Sequence, residues 1–222
     1  ETETAPAPGS VVINEVMADN HGSVTNGGAF PDWIELYNGG GGATNLAGWS
    51  LTDDSSPRKF VLPANTTIPA GGFLVLWCDD ATNAPGLHTG FALGRIVESV
   101  SVFDSATNRQ DAFTFGLQLA DYSVGRVGGQ WQLTLPTPDA TNVIAPLAPA
   151  TQVALNEWLA DPGIGGQDWL ELFNRSASAP VALQGLYFST SNALFRYTAL
   201  SFVAPRGYVQ LFAEELPGAD QL

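Results

Sequence analysis

Four glutamates stand inside stretches that otherwise read as apolar strands. Glu15 lies in Val11-Val12-Ile13-Asn14-Glu15-Val16-Met17, and Glu35 in Trp33-Ile34-Glu35-Leu36-Tyr37. Glu157 and Glu171 occupy matching places later in the chain. A carboxylate among apolar neighbours is costly unless it is paired or hydrogen-bonded. Two chemistries answer that cost. Carboxylates roughly 5–10 Å apart can work as an acid/base pair. Alternatively, each glutamate accepts backbone N–H groups or meets an arginine, and Arg126 is the candidate in the first half. The structural role is the expectation, so no catalytic residue is assigned.

Other reactive residues give less. Asp53-Asp54 and Asp79-Asp80, with Asp19 or Asp32, could gather oxygens for calcium. No Asp-x-Asp-x-Asp-Gly loop is present, and Asp53-Asp54-Ser55-Ser56-Pro57 is ordinary turn chemistry. No cofactor is expected, calcium being the one ion that suits these loops. His21 and His88 are the only histidines, and their spacing does not suggest zinc. Cys78 is the only cysteine, so no intrachain disulfide forms. Its acidic neighbours, Asp79-Asp80, should raise its thiol pKa and disfavour a nucleophile. Gly-x-Ser-x-Gly, Walker A and dinucleotide fingerprints are missing. Trp33, Trp49, Trp77, Trp131, Trp158 and Trp169 are expected to fill a core; an exposed row would instead be a sugar-stacking platform. Asn65-Thr66-Thr67 and Asn174-Arg175-Ser176 fit the N-glycosylation pattern.

The elements that must position these residues are strands. Runs at 11–17, 33–37, 73–77, 97–103, 112–115 and 131–135 are short and apolar or β-branched. Phe73-Leu74-Val75-Leu76-Trp77 reads as a strand buried on both faces. Turn clusters separate the runs, such as Asn38-Gly39-Gly40-Gly41-Gly42 and Pro69-Ala70-Gly71-Gly72. No stretch keeps a helical apolar period. The class is all-β, a sandwich or barrel.

Composition narrows the partners. The 222 residues carry 22 acidic and 8 basic side chains, a net charge of −14. Such a surface repels phosphate backbones and anionic lipid, so nucleic-acid binding is not expected. No apolar run approaches the ~20 residues that span a bilayer, and no signal peptide is visible. Residues 1–10 read as a flexible tether.

An internal repeat organises the chain. Ile13-Asn14-Glu15-Val16-Met17-Ala18-Asp19 returns as Leu155-Asn156-Glu157-Trp158-Leu159-Ala160-Asp161. Asp32-Trp33-Ile34-Glu35-Leu36-Tyr37-Asn38 returns as Asp168-Trp169-Leu170-Glu171-Leu172-Phe173-Asn174. Gly72-Phe73-Leu74-Val75-Leu76-Trp77 returns as Gly207-Tyr208-Val209-Gln210-Leu211-Phe212. The units are placed at 11–142 and 153–222, joined by a Pro/Ala linker at 143–152. In this register Leu222 falls opposite Leu87. The second unit is expected to be incomplete, completed by further sequence or by another chain, with self-association through it as one outcome.

These motifs, with Leu46-Ala47-Gly48-Trp49, Ser123-Val124-Gly125-Arg126 and Pro136-Thr137-Pro138-Asp139-Ala140-Thr141-Asn142, resemble the lamin tail domain of bacterial secreted and surface proteins. The resemblance implies an immunoglobulin-like β-sandwich, complete in the first unit and partial in the second. It implies a non-catalytic structural or interaction module, extracellular or at the cell surface, with protein or glycan partners and no membrane insertion. Two alternatives stand beside it: an accessory carbohydrate-binding module of a secreted hydrolase, or a fragment of an enzyme whose catalytic domain lies elsewhere.

Overall fold

The computed structural model describes residues 11–161, 163, 166–189 and 194–212. The expected tether, residues 1–10, lies outside them. The chain divides into two compact units between Ala145 and Pro146. Among the described residues there is no α-helix, and the one helical turn is the 3-10 segment Ala150–Gln152. The fold is an all-β, immunoglobulin-like sandwich.

In the first unit one sheet is built from β1 (Val11–Met17), β2 (Asp32–Asn38), β7 (Phe73–Cys78), β8 (Leu87–His88), β11 (Ser123–Val127), β12 (Gln130–Leu135) and β13 (Val143–Ile144). Its order is β13-β12-β11-β1-β2-β7-β8, antiparallel except for the short β7–β8 pair. The second sheet holds β4 (Ser50–Thr52), β5 (Phe60–Val61), β9 (Glu98–Phe103) and β10 (Arg109–Phe115), in the order β10-β9-β4-β5. A small ribbon pairs β3 (Thr44–Asn45) with β6 (Thr67–Ile68).

Register explains which side chains meet. β1 pairs Ile13 with Leu36 and Val16 with Ile34, and β7 then places Leu76 beside Ile34. These residues share the inner face, where Ile13, Ile34, Leu36 and Leu76 are fully buried. Each such side chain contributes about 1.5–3 kcal/mol by leaving water. Val16 follows Ile13 by three positions, an odd offset that alternation alone would put on opposite faces. A bulge between Ile13 and Glu15 absorbs the extra residue, Asn14. The bulge thus sends Glu15 to the outer face, opposite Glu35.

Two expectations change. In the run 73–77 only Leu76 is buried, the rest being half-buried, because β7 lies near the sheet end beside the two-residue β8. Val143–Ile144, assigned to the linker by composition, is instead an edge strand. β12 has a free row of backbone groups, and Ile144 and Val143 pair with Thr134 and Leu135.

The second unit contains β14 (Val153–Leu159), β15 (Trp169–Asn174) and β20 (Tyr208–Phe212) in one sheet. Two ribbons join β16 (Val181–Ala182) to β19 (Phe202–Val203), and β17 (Tyr187–Ser189) to β18 (Leu194–Arg196). Leu172, Val181, Leu183, Val203 and Leu211 form its core. β14 and β15 pair in the register of β1 and β2. β14 pairs Leu155 with Leu172, Glu157 with Glu171 and Trp158 with Leu170, and its bulge falls at Asn156. Asn38 and Asn174, both fully buried, each donate their side-chain amide to three carbonyls, those of Gly42, Ile68 and Pro69 and those of Ala179, Val203 and Ala204 respectively.

Candidate functional site

Glu15 and Glu35 are cross-strand partners on the outer face of the larger sheet, and neither is exposed to solvent. Directly opposed side chains lie about 5 Å apart at Cβ, so the pair has the closeness of an acid/base site. Its surroundings are hydrogen-bond donors of the fold itself. The Ser123 hydroxyl donates to Glu15 Oε1 at 2.5 Å. The Thr137 hydroxyl and amide donate to Glu15 Oε2 at 3.0 and 3.3 Å. Asn14 Nδ2 donates to Glu35 Oε1 at 2.7 Å, and the Asp139 amide to Glu35 Oε2 at 2.6 Å. The bulge residue Asn14 and the segment 136–142 therefore cap both carboxyls.

Asn142 locks that cap. Its side-chain amide donates to the Asn14 and Arg126 carbonyls at 3.0 and 2.9 Å. Gly125, opposite Glu15 on β11, leaves room for it: a Cβ there would stand 2.6 Å from Asn142 Nδ2. Burial drives the Glu35 carboxyl up to about 7, against the lowering hydrogen bonds from Asn14 and Asp139, with the Glu15 charge adding to the rise. Burial also raises Glu15, with its four hydrogen-bond contributions opposing. Both carboxyls are fully buried and engaged by donors of the fold.

Arg126 does not meet these glutamates. It points to the inner face, where Nη2 donates to Asp111 Oδ1 and Oδ2 at 3.0 and 3.1 Å. Strand alternation puts Arg126 with Val124 and away from Gly125, which faces Glu15. Asp111 on β10 also accepts from the Ile13 amide at 2.9 Å. Arg126 lies over Trp131 at 4.5 Å, and Trp131 stacks on Phe113 at 3.7 Å. This column joins the two sheets. Asp111 carried no signal in the repeat, because the described second unit has no counterpart of β10.

The loop carboxylates are dispersed. Lys59 takes Asp53 and Asp54 at 2.5 and 2.9 Å, and His88 pairs with Asp79. Among the described residues no group of three His, Cys, Asp or Glu side chains could hold a metal ion. An open hollow of ≈430 Å³ gathers Asp19, His21, Asp32 and Arg95 beside Phe30 and Leu93. His21 and Arg95 reach Asp19 at 2.9 and 3.7 Å. Burial lifts Asp32 to about 6, against the Asn20 amide that donates to it. This brings together Asp19, Asp32 and His21; Asp53, Asp54, Asp79 and Asp80 do not line it.

Cys78 is buried, and burial, more than Asp32, Asp53 and Asp79, raises its thiol well above the ordinary value. Trp33 is fully buried and Trp49, Trp77, Trp131 and Trp169 are half-buried, whereas Trp158 is 67% exposed. The core assignment for Trp158 is corrected: no described strand covers it. Asn65 is exposed in a turn, but Asn174 is buried with its amide nitrogen engaged, so only the first glycosylation motif is accessible.

Asn14, Ser123, Thr137 and Asn142 were not singled out by sequence reasoning. Asn14 had a usable signal, since Asn-Glu is kept in both repeats. A search of curated proteins finds no match to the chain. The family model described as Lamin Tail Domain matches residues 4–136, more than half of the chain. That span holds the sandwich, the carboxyl pair, the Asp111–Arg126 column and the start of the capping segment, and the chain belongs to the lamin tail domain family.

Proposed function

We propose that this chain is a non-catalytic structural and interaction module of a secreted or cell-surface bacterial protein, serving as a spacer, adhesion or assembly unit. Residues 153–222 are a second copy of the same domain, a reading supported by the shared register of β1–β2 and β14–β15. The observation that carries the reading is the sealing of Glu15 and Glu35. The arrangement with most resemblance to an active site is fully buried and occupied by donors of its own fold. Its carboxyls fasten a loop to a sheet. The half-buried Trp131, held between Arg126 and Phe113, likewise serves the core and not a sugar platform. The net charge of −14 suits a solvated extracellular surface and cationic or neutral partners.

The test pairs activity with location. The chain and its Glu35→Gln variant are assayed against glycoside, ester and phosphoester panels, and the producing bacterium is fractionated. No turnover by either chain, with the protein in the medium or protease-accessible at the surface, is the expected result. An activity that Glu35→Gln abolishes in a folded variant overturns the non-catalytic reading. Recovery only from the cytoplasm overturns the extracellular one.

A further inference from the structure

The hollow at the ends of β1 and β2 has no part in the carboxyl cap or in the column that joins the sheets. Asp19 and Asn20 follow β1, Asp32 opens β2, and Leu93 and Arg95 come from the loop before β9. Its walls are fixed in advance. The buried Asn20 donates its side-chain amide to the Val24 and Pro31 carbonyls at 2.6 and 2.7 Å. Asp121 Oδ1 accepts the amides of His21, Gly22 and Ser23 at 3.0, 2.8 and 3.0 Å. At ≈430 Å³ the hollow has the size of a site for one side chain or a small ligand.

Its charges do not balance. Asp19 engages both oxygens, Oδ1 with His21 Nε2 at 2.9 Å and Oδ2 with Arg95 Nη1 at 3.7 Å. Asp32 engages one, Oδ1 accepting the Asn20 amide at 3.0 Å. Among the described residues Asp32 Oδ2 has no hydrogen-bond or ion-pair partner. A half-buried carboxylate with one open oxygen asks for a cation. A guanidinium fork is matched by two oxygens, whereas an ammonium is a point charge that one oxygen can hold. Calcium wants six to eight oxygens, and among the described residues no cluster of ligating side chains supplies them. The remaining walls are apolar. Phe30, 46% exposed, stands with Pro31 and Leu93 where a methylene stem can pack and an ammonium can meet a ring. The loop that supplies Arg95 runs on into Ile96 and Val97, 61% and 70% exposed. Val97 sits at φ 45°, a left-handed conformation that is costly for a β-branched residue, so this apolar lip is held outward under strain. Lys59, the one lysine of the chain, is held by Asp53 and Asp54, so a lysine for the hollow comes from another molecule.

We propose that the hollow is a receptor for a lysine side chain of a protein partner, with the ammonium on Asp32 Oδ2, the stem along Phe30 and Leu93, and the apolar neighbours of that lysine on Ile96 and Val97. The net charge of −14 draws a cationic segment toward the chain, and the hollow then selects the residue. For the nature of the partner the proposal rests on the interaction-module reading. An empty hollow leaves that reading standing, and a catalytic activity or a cytoplasmic location fails that reading without touching the lysine contact.

The probe is the blocked peptide acetyl-Gly-Leu-Lys-Leu-Gly-amide, titrated into the isotope-labelled full chain at constant ionic strength, with backbone amide shifts read by NMR. The expected result is saturable movement confined to the hollow and its lip, around Asp19, Asp32, Arg95 and Val97. Norleucine or acetyl-lysine in place of the lysine removes the charge and should weaken binding about tenfold or more, and arginine should bind less tightly than lysine. Asp32→Asn keeps an acceptor for the Asn20 amide, removes the charge and should weaken binding as much. The peptide series decides even where Asp32→Asn is poorly folded. Burial holds the Asp32 carboxyl at about 6, so binding should strengthen as pH rises through that value. Asp19 and His21 act on Asp32 as well, and the rise should persist in His21→Gln. No movement at the hollow overturns the proposal. Equal binding of the norleucine peptide overturns it by making the site merely apolar, and equal binding of the arginine peptide by removing the ammonium preference. Movement centred on Asp53, Asp54 or Asp79 also overturns it, because that is diffuse attraction to an acidic surface.

Discussion

Glu35→Gln should change the pH dependence of stability more than stability itself. In the folded protein Glu35 keeps its proton up to about 7, whereas an ordinary glutamate releases it near 4.5. A raised carboxyl value means the folded state binds more protons across that window. Its contribution is complete below 4.5 and is withdrawn as pH climbs to about 7. Each pH unit is worth about 1.4 kcal/mol, so wild type loses about 3 kcal/mol through this group. Glutamine cannot titrate, but it has one acceptor where the carboxylate has two. Asn14 Nδ2 or the Asp139 amide then faces an NH2, at a cost of about 1–3 kcal/mol. The variant should therefore be the less stable protein at about pH 5 and draw level with or pass wild type by about pH 8. Urea unfolding followed by tryptophan fluorescence at constant ionic strength measures both curves. Parallel curves would refute the reasoning, because they would mean Glu35 does not titrate in that window.

Three further outcomes test the same frame. Gly125→Val should lower stability by about 1–3 kcal/mol, since the new Cβ would meet Asn142 at 2.6 Å; thermal unfolding reads it. Asp111→Ala leaves the half-sealed Arg126 without its carboxylate and should cost about 3–5 kcal/mol, while the double change Asp111→Leu with Arg126→Met should restore only part of it, because the Ile13 amide still lacks its acceptor. Cys78 should resist thiol reagents in the native protein and react at the ordinary rate in urea; fast native labelling would contradict its burial.

The strands were legible because β-branched runs and Gly/Pro turns mark them locally. β1 spans 11–17, as its apolar run predicts. The repeated motifs were legible too, and β14 and β15 pair in the register of β1 and β2. What escaped was long-range. Nothing near Arg126 in sequence reveals that its partner is Asp111 and not Glu15, because the choice depends on which face of β11 each side chain takes. The bulge at Asn14 decides that Ile13 and Val16 share a face, and a pattern of alternation cannot display it. β11 itself is short and contains Gly125, so it read as a motif and not as a strand. The carboxyl pair was recognised as expensive, but its donors lie far along the chain.

That distance has a bearing on how the protein is made. Ser123 lies 108 residues after Glu15, and Thr137 lies 122 after it. A ribosome adding about 5–20 residues per second needs on the order of 10 seconds to deliver them. Through that interval the Glu15 and Glu35 carboxyls lack the donors of Ser123, Thr137 and Asp139. Contacts of such sequence separation are slow to form even in a released chain. The cap thus works as a clock on maturation: the larger sheet seals only once the segment through Asn142 has emerged, and a chain stopped short of it keeps that face wet.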